Sequence, residues 1–188
     1  MDFDLTGKLL ISTPAMGDTR FHRSVLYLCA HTSEGAFGLA VNRPIPGLTF
    51  TEVMDQLNIP VTGPLPQRPV LAGGPVEAVR GFVLFRGAEA PDAPDCSALA
   101  DGLSLSTSPA ILAAIARGDA PAAWFLALGY AGWGPGQLED EIAQNAWLTC
   151  ETDDALLFSP ETGSALWNKA LQSMGVDPLS LSAMSGRA

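Results

Sequence analysis

Basic residues are scarce in this 188-residue chain: 10 Lys and Arg stand against 20 Asp and Glu, a net charge of −10. Sequence-independent affinity for nucleic acid comes from Lys and Arg displacing phosphate counterions, so this deficit disfavours direct DNA or RNA binding. Arg20 and Arg23 lie close together, but no basic run follows them, and no helix-turn-helix or RNA-binding signature is present. The acidic balance serves solubility. No apolar run approaches the roughly 18 residues that suggest a membrane span, so no membrane association is expected. The start, MDFDLTGKLLIST, carries acids where a secretory signal carries bases, and no cleavable leader is expected. Cys29, Cys96 and Cys150 are too few and too scattered for a disulfide framework, which points to a reducing cytoplasm. His22 and His31 are the only histidines and have no partner at ligand spacing, so no metal is expected. There is no P-loop, no GxGxxG after a strand and no GxSxG elbow; with them go the commonest nucleotide and hydrolase readings, and no cofactor is expected.

What is present reads as one α+β domain over residues 1–176, followed by a weakly structured tail at 177–188. KLLIST (8–13) and SVLYLCAH (24–31) are β-rich, and the TSEG link to AFGLAVNRP (36–44) predicts a hairpin. Pro44 is expected to stop that ladder. TFTE (49–52) is a capping-box pattern, and the apolar spacing after it predicts a helix over about 50–58. PVTGPLPQRP (60–69) is a loop. VLAGGPV and RGFVLFRG are strands either side of a short polar connection, GAEAPDAPDCS (87–97) is a second loop, and LSLST (103–107) alternates as an edge or half-buried strand does.

Ser108 and Pro109 start a helix that Gly118 stops. AAWFLALGY (122–130), apolar on both faces, is a central strand. AWLTCE and ALLFS read as strands. Ser159 and Pro160 precede a last helix, whose inner face is Leu166, Trp167, Ala170, Leu171 and Met174.

The segments GKLLISTPAMGDTRFHRSVLYLCAH (7–31), EGAFGLAVNRP (34–44), LAGGPVEAVRGFVLF (71–85), ALGYAGWGPGQLEDEIAQNAWL (127–148) and LLF (156–158), in that order and spacing, resemble the YqgE/AlgH family of uncharacterised bacterial proteins. The resemblance implies a split, mixed β-sheet curled into a partial barrel with helices outside, in a bacterial cytoplasmic protein. It brings with it the label of transcriptional regulator, whose DNA-contacting version the charge disfavours. It also implies a His after GFVL, where this chain has Phe85.

Four places invite a functional reading. Cys29 and His31 are two apart on a strand and so share a face, where a thiol beside an imidazole makes a redox sensor, a nucleophile or half of a metal site; packing is the plainer alternative. Gly73 and Gly74 can aim backbone N–H groups at an anion, or form a turn needing positive φ. Asn42 and Arg43 can cap a turn or line a pocket mouth. In GPGQLEDEIAQNAW, the acids Glu139, Asp140 and Glu141 suit the positive end of a helix. Leu138, Ile142 and Ala146 form its inner stripe, with Gln137, Glu141 and Asn145 beside it. That amide–carboxylate–amide line, walled by Trp133, either holds a polar ligand or bonds the glycine-rich turn back to the helix. The expected function is a non-enzymatic regulatory or binding protein working through a small ligand, a thiol or a protein partner. The alternative is a hydrolase or transferase in which Glu141 meets the Cys29–His31 face.

Overall fold

The computed structural model describes residues 4–65, 68–87 and 95–184. The chain opens with β1 (Leu9–Ser12), β2 (Val25–Thr32) and β3 (Gly35–Ala40), the last two forming the expected hairpin with Thr32 opposite Gly35. β4 (Pro44–Thr49) follows, so Pro44 begins a strand rather than ending one. A first strand position needs no ladder donor, and proline fits there. Helix α1 (Phe50–Gln56) starts on the predicted capping box: Glu52 N–H donates to Thr49 Oγ1, and Thr49 N–H to Glu52 Oε2.

β5 (Pro69–Ala72) leads to β6 (Val76–Arg86), one long strand in which the polar connection between the two expected strands is a bulge. Val76 pairs with Tyr130 but Gly81 with Leu128, which leaves residues 77–80 looped out. Residues 88–94 and 66–67 of the two expected loops lie outside the described residues. β7 (Cys96–Ala98) and β8 (Leu103–Ser106) follow; β8 lies between β6 and β7, and its two serines are buried rather than exposed.

Helix α2 (Pro109–Arg117) has its Ser108 cap and left-handed Gly118 stop. β9 (Trp124–Trp133) is central, as its double-sided apolarity predicts. α3 (Gln137–Ala143) and β10 (Trp147–Cys150) come next. ALLFS is not a strand: α4 (Asp154–Leu157) forms there, because Asp153 accepts from Ala155 N–H and caps it. So short an apolar run cannot be assigned by periodicity alone. α5 (Gly163–Ser173) buries Leu166, Trp167, Ala170 and Leu171 of its predicted face, with Met174 half-buried at its C-cap, and is capped at Thr162 rather than at Ser159–Pro160. The expected weak tail contains α6 (Pro178–Met184), with Leu181 packed on the core.

The strand order is β10-β1-β2-β3-β9-β6-β8-β7. One edge of β9 pairs with β6. Its other edge is shared: β5 runs parallel to it at Ala127 and Leu128, and β3 antiparallel at Ala131–Trp133. That sharing splits the sheet, which curls into a half-barrel. One sheet face buries Tyr27, Leu39, Leu84 and Phe125 under α4 and α5, and the indole N–H of Trp167 donates to Ser12 O. On the other face, α1 and α2 cover Val83, Leu126 and the fully buried Phe85, while α3 covers Leu10, Leu26 and Leu28. No described helix is long and apolar enough to cross a membrane.

Candidate functional site

The glycine-rich turn after β9 delivers α3 with Glu141 aimed at two tryptophans. Trp133 Nε1 donates to Glu141 Oε2 at 3.0 Å, and Trp147 Nε1 to the same oxygen at 2.7 Å. Gln137 Nε2 donates to Oε1 at 2.9 Å, and Gln137 Oε1 accepts from Gly134 N–H at 3.1 Å. The two indoles meet edge to face at 6.1 Å and are buried. Hydrogen bonds to an ionised carboxylate are the strong kind, so the network ties β9, the turn, α3 and β10 together.

Asn145 is not on this line. The helix ends at Ala143, and Asn145 takes a left-handed φ of 58° with its side chain in solvent. Its carbonyl accepts from Thr13 Oγ1 instead. Glu139 and Asp140 occupy the first turn, where the helix end favours acids. Glu141 lies beyond it, and the two indoles account for it.

Cys29 and His31 do not share a face. The register with β3 slips between Leu28 and Ala30, and this bulge breaks the alternation. Cys29 packs in the core with Tyr27, where burial pushes its thiol well above the ordinary value. His31 sits opposite Ala36, on the α3 side of the sheet. Its Nδ1 accepts Leu5 N–H at 3.1 Å, and its Nε2 lies 2.9 Å from Glu139 Oε1. An accepting Nδ1 puts the neutral ring's proton on Nε2, pointing at the carboxylate. Glu141 and the thiol therefore face opposite sides of the sheet, and the arrangement needed for joint chemistry is not formed.

Asn42 is fully buried and lines no pocket mouth. Its Oδ1 accepts Val25 N–H, and its Nδ2 donates to Arg23 O and Gly163 O, joining β2 to the start of α5. Arg43 reaches Ser24 Oγ at 3.0 Å. Gly73 and Gly74 do not form a positive-φ turn. Gly73 N–H is already bonded to Leu128 O, and an added Cβ would lie 2.3 Å from Gly129 O at Gly73 and 2.1 Å from Tyr130 C at Gly74. They are glycines because β9 crosses against them. Among the described residues no group of three His, Cys, Asp or Glu is placed to hold a metal.

The feature the sequence did not reveal is an open cleft of about 890 Å³ on the sheet face that buries Tyr27 and Leu39, beyond the cover of α4 and α5. Phe37 of β3, Tyr130 of β9 and Phe82 of β6 meet pairwise at centroid distances of 5.0, 5.6 and 5.9 Å and floor it. Glu77, Arg80, Asp95 and Cys96 line it as well. Its floor comes from three strands far apart in sequence, so no local pattern announces it.

The AlgH-like family model matches residues 9–179. A UPF0301 protein of Paracoccus denitrificans is 46% identical over 186 residues, spanning 98% of this chain and 97% of that protein. Another, of Jannaschia sp., is 47% identical over 185 residues, spanning 98% and 96%. The solution structure of the AlgH protein from Pseudomonas aeruginosa superposes with a TM-score of 0.77 at 38% identity, covering 100% of this chain and 96% of that one. A crystal structure of a Corynebacterium diphtheriae protein, at 23% identity and TM-score 0.70, covers 90% and 86% and shares the fold.

Proposed function

Starting from a chain that belongs to the AlgH-like family, we propose that it is a binding protein that works without chemistry of its own, taking a small ligand in the aromatic cleft. One observation carries this reading. Glu141, Gln137 and Asn42 of its motifs are engaged in internal bonds, whereas the cleft of about 890 Å³ presents the half-buried Phe37 and Tyr130 and several charged groups. Ligand sites have volumes of about 300–1,000 Å³, and this one sets an aromatic floor beneath a polar, charged rim. Cytoplasmic residence and a regulatory role fit the same reading, since the acidic charge suits a freely diffusing protein better than a DNA-bound one.

A fragment screen with amide chemical-shift mapping tests it. Hits should converge on β3, β6, β7 and β9 around Phe37, Phe82 and Tyr130. Hits confined to other surfaces, or none from the library, would overturn the reading.

A further inference from the structure

The cleft already holds a cation of its own. The guanidinium of Arg80 lies 5.3 Å from the centroid of the Phe82 ring, and its Nη1 donates to Glu77 Oε2 at 3.1 Å. The ring face is electron-rich and attracts positive charge. Phe37 and Tyr130 pack against Phe82, so the face is held in place rather than free to turn.

Arg80 is weakly held there. Its side chain and that of Glu77 are each 51% exposed, and an ion pair in that setting contributes little. Both belong to the looped-out residues 77–80 of β6, so Arg80 can leave without breaking the ladder. Among the described residues the lining has two carboxylates, Glu77 and Asp95, and one guanidinium, that of Arg80. When Arg80 swings out, the face of the otherwise buried Phe82 is uncovered beside Glu77, with Asp95 elsewhere in the lining. The chain's net charge of −10 adds a long-range field favouring the approach of cations.

We infer that the cleft takes the cationic head of a small organic ligand, of the guanidinium or quaternary ammonium class, laid on Phe82 against Glu77. Arg80 is then a resident competitor that fills the place in the free protein. This rests on the reading of the cleft as a ligand site.

The test titrates the full chain with choline, with agmatine and with 3,3-dimethyl-1-butanol, the uncharged isostere of choline, following the aromatic and amide signals of Phe37, Phe82 and Tyr130. The two cations should bind at least about three-fold more tightly than the isostere, and less so as salt rises. Arg80→Ala should tighten cation binding several-fold by removing the competitor, and Glu77→Gln should weaken it several-fold. Both positions are exposed, so neither variant threatens the fold. An isostere that binds as well as choline, or an Arg80→Ala variant that binds cations no better, would overturn the inference and leave the cleft reading standing. If all three probes leave the cleft signals unmoved, the inference falls; if a broad fragment library also leaves them unmoved, the cleft reading falls with it.

Discussion

Trp147 donates its indole N–H to Glu141 Oε2 at 2.7 Å, six residues away in sequence, and Trp133 shares that oxygen. Both indoles are buried, so removing the acceptor strands two N–H groups. Glu141→Leu should cost about 2–6 kcal/mol, from about 1–3 kcal/mol for each stranded donor. Glu141→Gln keeps an acceptor oxygen and should cost less, roughly 1–2 kcal/mol. Urea unfolding followed by tryptophan fluorescence reads both. Equal losses for the two variants would show that the negative charge, rather than the acceptor, is what matters.

Asn42 has an equally exacting role. Its amide accepts one backbone bond and donates two, all in the interior. Asn42→Ala should lose about 2–4 kcal/mol. Asn42→Asp should be at least as damaging, because an ionised carboxylate then faces two carbonyl oxygens with no proton to offer. Chemical denaturation of the pair measures the order.

The glycines of the motifs divide cleanly by substitution. At Gly74 an added Cβ meets Tyr130 backbone at 2.1 Å, whereas at Gly134 nothing lies within 4 Å. Gly74→Ala should therefore destabilise by about 1–3 kcal/mol or more. Gly134→Ala should stay within about 0.5 kcal/mol of wild type. Thermal unfolding of the two variants side by side checks the contrast.

Thiol labelling should follow burial. Cys29 is buried and its thiol is pushed up by burial, while Cys96 and Cys150 are half-buried. The thiolate is the reactive form, so in the native protein Cys29 should label last, and at the rate of global unfolding. Rapid labelling of Cys29 before Cys96 would restore the redox-sensor reading for that position.

Acid should weaken the α3 junction in a defined window. The Glu139 carboxyl is held below its ordinary value of 4.5, first by its own backbone N–H and then by the hydrogen bond from His31, against a raising effect of burial. A carboxyl depressed in the folded state contributes stability above its unfolded value, and that contribution is lost as pH falls through the folded one. Stability should thus decline below pH 4.5, the ordinary value of the group, and Glu139→Gln should flatten that decline. Urea midpoints measured across the acid range compare the two proteins.

Local chemistry was legible wherever neighbours in sequence decide the outcome. The Thr49 capping box, the Ser108–Pro109 helix start, the Gly118 stop and the apolar run of β9 were all readable, since each depends on bonds or burial within a few residues. The order and spacing of the motifs carried the family and, with it, the split sheet. The α4 turn reads as a strand in sequence because four apolar residues fit either period.

Only the tertiary structure decided what the motif residues are for. A bulge between Leu28 and Ala30 separates Cys29 from His31, and nothing in the strand's composition marks it. Gln137 and Glu141 were placed together by helical spacing, but the helix ends before Asn145, and Trp147 enters from the following strand. The reason Gly73 and Gly74 carry no side chain lies in β9, more than fifty residues on. The floor of the cleft, Phe37, Phe82 and Tyr130, exists because three strands from distant parts of the chain become neighbours. Periodicity and capping act over a turn or a strand, so the sequence alone settles elements and their faces. Which side chains meet across the sheet depends on register and crossing, and those belong to the folded chain.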